Sequence, residues 1–239
     1  VLGRFLEYSL ATPDIRASLD FYIKLGFSQA DVGEAWRHPY AVLTDGRICI
    51  GLHQESTAAP SLTFVKPGLS KFLSTLEAMP LEFEFRRLGE EVFNEVGWRG
   101  PCGQLLRLIE ARTFSPSKRR VTDTSQCGYF LEIALPTPRL DASKAYWETF
   151  GFVGIDEIDG PWPHVSCTSD HIDIGLYDPT HLRRPALRFE VDDVAGTLAR
   201  LAESGIPPGG EIPPPLRHLP AATLTAPEGT SIVLSAAAH

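Results

Sequence analysis

The chain has 239 residues, a formal net charge of −8, and 43% hydrophobic against 22% charged residues. An acidic surface repels phosphate backbones, which argues against nucleic-acid partners, and no apolar run reaches the ~18 residues that a membrane span needs. What remains is a soluble globular chain, long enough for one large domain or two ordinary ones.

The first predicted element is a strand at Phe5 to Leu10. Its alternation puts Leu6, Tyr8 and Leu10 on one face and Phe5, Glu7 and Ser9 on the other. A helix follows from about Asp14 to Leu25, with Ile15, Leu19, Tyr22 and Ile23 at helical spacing. Thr12 or Asp14 can cap its start and Gly26 can end it. Three short strands come next, at Phe27 to Val32, Tyr40 to Thr44 and Arg47 to His53, the last two joined by the hairpin signal "TDGR". The same βαβββ order restarts at Leu62: strand "LTFV", a helix at Leu69 to Met79, then strands near Leu81 to Phe85, Val92 to Trp98 and Gln104 to Ile109.

The second half repeats the first. "FLEYSLATP" returns as "FLEIALPTP", which aligns Glu7 with Glu132, Ser18 with Ser143 and Phe27 with Phe152. After a one-residue indel, "RICIGLHQ" matches "HIDIGLYD", so that Gly51 aligns with Gly175. Its closing unit has a strand at Leu187 to Val191 and a helix at Val194 to Ser204. The Pro/Gly-rich "GIPPGGEIPPPL" then suits loop and sheet-edge positions, ahead of strands near Ala222 to Thr225 and Thr230 to Ser235. The reading is α+β: four βαβββ units at about 4–55, 60–112, 128–179 and 185–236, paired into domains 1–112 and 127–239 by a linker at 113–126 that contains the short basic run "SKRR".

The four cysteines have neither CxxC nor zinc spacing. They point to free thiols in a reducing, cytoplasmic setting. His181, His218 and His239 fall in polar or Pro-rich stretches and are expected to be solvated.

"LEYSLATPDIRASLDFYIKLGF" resembles the first strand and helix of the vicinal oxygen chelate superfamily, through Phe21, Tyr22, Leu25, Gly26 and Phe27. That superfamily includes glyoxalase I, bleomycin-resistance proteins, fosfomycin-resistance enzymes and extradiol dioxygenases. "GPCGQLLRLI" and "APEGTSIVLS" resemble its last-strand signature. The resemblance covers almost the whole chain. It implies two glyoxalase-like domains, each a cupped, half-open mixed sheet with helices outside and a site inside the cup, often around a divalent metal.

By that resemblance the metal-ligand positions correspond to Glu7, Gly51, Ser61 and Arg107 in the first domain, and to Glu132, Gly175, Ala186 and Val233 in the second. Gly, Ala and Val bring no donor and Arg107 is a fixed cation, so the expectation is no metal and no other cofactor. A shifted site around His53, or around Asp173 and Tyr177, stays open. Glu7 and Glu132 are then expected to pair with Arg107 and Arg188, either as structural struts or as ligand anchors and acid/base groups. Trp36, His38 and Tyr40 in one domain, and Trp162, His164 and Tyr177 in the other, are candidates for stacking on a flat organic ligand or for plugging the cup. His53 and Asp173 complete the candidate binding set.

Three function classes remain. The first is a metal-independent binder of a small organic ligand, like the bleomycin-resistance branch. The second is an acid/base enzyme using Glu7 or Glu132 with Arg107 or Arg188. The third is a metal-dependent dioxygenase or lyase with shifted ligands. A monomer or a homodimer is expected, because four units in one chain can close both cups.

Overall fold

The computed structural model describes residues 2–30, 38–54, 60–89, 94–111, 125–156, 158 and 160–236. The first half holds β1 (Arg4–Ala11), α1 (Ile15–Lys24), β2 (Ser28–Ala30), β3 (Tyr40–Thr44), β4 (Cys49–His53), β5 (Ser61–Val65), α2 (Leu69–Glu77), β6 (Phe83–Arg87), β7 (Glu95–Arg99) and β8 (Leu105–Ile109). The second holds β9 (Tyr129–Pro136), α3 (Leu140–Thr149), β10 (Val153–Gly154), β11 (Val165–Thr168), β12 (Ile174–Tyr177), β13 (Ala186–Val191), α4 (Val194–Glu203), β14 (Ala221–Thr225) and β15 (Ser231–Ala236).

The strands form two mixed sheets, ordered β2-β3-β4-β1-β5-β8-β7-β6 and β10-β11-β12-β9-β13-β15-β14. The first strand of each half lies at the centre, antiparallel to the first strand of its half's second unit. This is the α+β architecture of two mixed sheets, each from a pair of units, that the resemblance implies. The fourth unit departs from βαβββ. Its Pro-rich stretch makes a 3-10 turn at Pro214–Leu216 where the other units place a strand. Proline has no N–H to offer a ladder.

Local chemistry sets the helix limits. The Asp14 side chain accepts from the Arg16 and Ala17 amides, and Asp193 caps α4 through Gly196. Gly26 and Gly151 follow α1 and α3 with positive φ. No helix of the described residues is long and apolar enough to cross a membrane.

The helix-facing sides of both sheets feed one apolar core, which includes Tyr8, Ile50, Leu106, Trp98, Trp147 and Phe189. It is continuous across the halves: the Phe27 and Phe189 rings lie 6.3 Å apart, and the Trp98 and Phe150 rings 5.9 Å. Burying each such side chain contributes about 1.5–3 kcal/mol.

Polar contacts cross the halves in a two-fold pattern. Ser18 Oγ and the Tyr22 hydroxyl of α1 donate to Glu228, in the turn before β15, at 2.8 and 2.7 Å. In the reciprocal place Cys102, in the turn before β8, reaches Ser143 of α3 at 3.9 Å, and Trp98 Nε1 donates to the Tyr146 hydroxyl at 2.8 Å. Burial, and then Glu228, pushes the Tyr22 hydroxyl well above its ordinary pKa. It therefore stays a donor.

Candidate functional site in two cups

The faces turned away from the helices carry the candidate residues, and strand register places them in rows. In the first sheet Glu7 stands opposite Thr63, Thr63 opposite Arg107, and Arg107 opposite Gly97. In the second, Glu132 stands opposite Arg188, Arg188 opposite Val233, and Val233 opposite Thr223. Adjacent strands are about 4.8 Å apart. Glu132 therefore has an arginine on the next strand, whereas Glu7 is two strands from its expected partner.

The first cup has a polar floor. Glu7 is fully buried and accepts from Ser9 Oγ at 2.7 Å and from the Tyr40 hydroxyl. His53 Nε2 lies 2.7 Å from Glu7 Oε1, and His53 Nδ1 lies 2.8 Å from Nε2 of His38. A carboxylate can only accept, so with Glu7 ionised and His53 neutral, His53 donates through Nε2 and accepts at Nδ1 from His38. The result is a relay from a buried carboxylate to a half-buried imidazole. Ser9 Oγ continues the network to Thr63 Oγ1 at 2.7 Å, and Ser61 Oγ reaches the same oxygen at 3.4 Å.

Arg107 does not reach Glu7 as expected. Its Nε lies 3.1 Å from Glu95 Oε2 on β7, with both groups buried. Thr63 occupies the strand between the two, and Glu95 presents a carboxylate on the nearer side. The carboxylate of Glu7 is taken up by His53, Tyr40 and Ser9.

In the second cup the expected acid–arginine pair forms. Arg188 Nη1 donates to Glu132 Oε1 at 3.0 Å and to the Tyr177 hydroxyl at 2.7 Å, and Tyr177 in turn donates to Glu132. Burial first, then the Glu132 charge, raises the Tyr177 pKa well above its ordinary value. Burial works against the Arg188 charge, but Tyr177 and Glu132 more than offset it and its pKa is raised. His164 Nδ1 lies 2.9 Å from the Trp162 carbonyl, which can only accept, so that nitrogen carries a proton. In the neutral ring the Nε2 lone pair then faces Arg188 Nη1 at 3.5 Å. The His164 ring stacks on Tyr177, 4.9 Å away and 14° from parallel.

Both cups thus carry one Glu, one Tyr and one His, with the last two exchanged between strands. Tyr40 on β3 is registered with His53 on β4. His164 precedes Val165, whose partner is Leu176, and so stands opposite Tyr177.

Above the second floor the cup is packed with apolar side chains. Ala134, Ala186 and Val233 from the strands meet Trp162, Leu182 and Leu216 from the connections. Trp162 and Tyr177 therefore fill the cup, one of the two roles their sequence positions allowed. Asp173 contributes its main-chain carbonyl to Ile133, and its Oδ1 is buried with no partner among the described residues. Trp36, and all of the linker but its last two residues, lie outside the described residues. Sequence reasoning missed Glu95, Leu182 and Leu216. The alternation that puts Gly97 on the cup face also puts Glu95 there, so that signal was present.

The donors do not fit a divalent ion at the superfamily's positions. A Cβ built on Gly51 would overlap the Glu7 carboxylate, and one on Gly175 would overlap that of Glu132. Each acid lies across a glycine from which no side chain could project. A shifted site at His53 fails too: Glu7 and His38 engage opposite nitrogens of one ring and cannot converge on one ion. In the second cup, Arg188 occupies the Glu132 oxygen with a fixed positive charge. Among the described residues no group of three His, Cys, Asp or Glu is placed to hold a metal.

Comparison with known proteins places the fold. No family model and no curated protein matches the sequence. Solved structures do. A catechol 2,3-dioxygenase superposes with a TM-score of 0.58 at 14% identity, over 99% of this chain and 88% of its own. An extradiol ring-cleaving dioxygenase from B. fuscum gives 0.63 at 15% identity, over 99% and 72%. A halotolerant catechol dioxygenase gives 0.56 at 15%, over 98% and 86%. The chain has the two-domain fold of these extradiol dioxygenases, and at these identities the likeness is one of fold alone.

Proposed function

We propose that this chain is a metal-independent, glyoxalase-like protein that binds a small organic ligand in a cup. The observation that carries this reading is the state of the two glutamates. Each lies across a glycine and is held by protein donors: Ser9, Tyr40 and His53 for Glu7, and Tyr177 and Arg188 on one oxygen of Glu132. Such a floor offers hydrogen bonds and aromatic faces, which suit an organic molecule. The apolar cavity foreseen from sequence is divided in this reading. The first cup is polar at its floor, and the second is apolar but filled by its own connections. Four free thiols suit a cytoplasmic setting.

One feature favours a second reading, an acid/base enzyme. The Glu7–His53–His38 chain of hydrogen-bond contacts links a buried carboxylate to an imidazole, the arrangement that orients a general base. A single experiment separates the three classes. Full-length protein is stripped with chelator and screened by calorimetry against phenols, catechols and aromatic carboxylates, with and without Fe, Mn, Zn or Ni. A binder takes up one of these without metal, and Glu7→Gln changes its affinity less than tenfold. Loss of turnover in Glu7→Gln, with binding kept, establishes the enzyme. Stoichiometric metal bound at sub-micromolar affinity overturns both.

A further inference from the structure

The two connections that plug the second cup leave a small recess between them. The connection from β12 to β13 lines it with His181, Arg183 and Arg184, the connection from α4 to β14 with Glu211, and β15 with Ser231. The recess has about 30 Å³ of room, which suits one or two water-sized groups and excludes an organic ring. Its remaining lining, Leu182, Val233 and two prolines, is apolar.

Positive charge and donors outnumber acceptors around it. His181 was expected to be solvated, yet its Nδ1 is buried and has no partner among the described residues. Arg183 and Arg217 share the single carboxylate of Glu211, at 3.3 and 3.0 Å, and Arg184 has no ion-pair partner among the described residues. The acid beside His181, Asp178, is engaged by the Thr180 amide and hydroxyl at 2.8 and 2.6 Å. Three guanidinium groups thus face one acid, on a chain whose net charge is −8. A local cationic rim on an acidic protein draws anions toward it.

We propose that this recess binds a small inorganic anion of chloride size, and that the anion clamps the two connections that plug the second cup. The anion accepts from His181 Nδ1, in the tautomer that carries its proton there, and from the Ser231 hydroxyl. Arg183 and Arg184 balance its charge. Leu182 follows His181 in sequence, and Leu216 ends the 3-10 turn that opens at Pro214, so an ion held between the connections fixes both plug residues. The Arg183–Glu211 pair is exposed and long, and such a pair contributes little by itself. The site is separate from the cup floors and does not rest on the reading that they take an organic ligand.

The test uses full-length protein at constant ionic strength, with sodium chloride exchanged stepwise for sodium gluconate, whose anion is too large for the recess. Chloride NMR line width reads binding, and hydrogen exchange by mass spectrometry reads the connections. Chloride should broaden its own line saturably and slow exchange across 178–184 and 211–219 relative to gluconate. The double variant Arg183→Gln, Arg184→Gln changes two exposed side chains and should weaken chloride about tenfold. His181→Phe leaves the arginines in place, removes the Nδ1 donor, and should weaken it severalfold. Crystals soaked in bromide should show the anomalous signal of the ion against His181 and Ser231. Broadening that does not saturate, unchanged binding in His181→Phe, or bromide confined to other arginines overturns the site. Saturable binding at the recess without slower exchange in the two connections overturns the clamp.

Discussion

The two cups began as copies and now differ in where charge is balanced. The first spreads it. Glu7 is met by Ser9, Tyr40 and His53, and Arg107, two strands away, is met by a second acid, Glu95, on its adjacent strand. The second concentrates it in one contact between Glu132 and Arg188, under an apolar plug. The same row position is Thr63 in one sheet and Arg188 in the other, while the Arg107 and Glu95 positions become Val233 and Ala221. A single strand's displacement of one arginine thus decides whether a cup floor is a distributed polar network or a compact ion pair.

Removing each acid should expose this difference most strongly. Glu132→Ala strands a largely buried guanidinium and should cost about 3–5 kcal/mol of stability. Glu7→Ala removes the acceptor shared by Ser9, Tyr40 and His53 and should cost about 1–3 kcal/mol. Urea denaturation of the two variants measures the gap, and equal losses would break the comparison. Next in size is the exchanged pair. Tyr40→His and His53→Tyr together rebuild the second cup's arrangement in the first. The double variant should be about 0.5–3 kcal/mol more stable than the sum of the two singles predicts, because the residues share one acceptor. A double-mutant cycle reads that coupling.

Gly51→Ala and Gly175→Ala should each cost about 1–3 kcal/mol, since the new methyl must displace a held carboxylate. Near-zero effects in thermal melts would mean that the glutamates can move aside. The smallest effect concerns the thiols. Burial pushes Cys127 and Cys167 up to about 12, so both are protonated at pH 8. Iodoacetamide should label them far more slowly in native than in urea-unfolded protein, by mass spectrometry.

Much of the fold was legible because the repeat is literal. Tyr40 to Thr44 was read to the residue, and Glu7 and Glu132 were both placed on the first strand of their half, facing the cup. Partner choice was legible for Glu132, which pairs with Arg188 as expected, but not for Glu7. Alternation tells which face Arg107 occupies, but only the order β1-β5-β8-β7 shows that Thr63 separates it from Glu7 and that Glu95 is nearer. The alignment of "RICIGLHQ" with "HIDIGLYD" shows one side of the Tyr–His exchange, His53 against Tyr177, but not that each residue faces its counterpart across a hairpin. That pairing depends on the register across the β3–β4 and β11–β12 hairpins, which composition does not set. Trp162 and Tyr177 were read as possible plugs, but Leu182 and Leu216 were missed because they come from connections with no periodicity.

The crossed contacts between the halves bear on how the chain is made. The Tyr22 hydroxyl finds its acceptor in Glu228, 206 positions later. During synthesis the first half emerges long before that acid does, with the apolar face of its opening helix waiting for a partner still inside the ribosome. Contacts this distant in sequence close late and slowly. The beginning of this protein is therefore completed by its end, and truncating the last hairpin should damage the first helix as well as the second cup, which loses Val233.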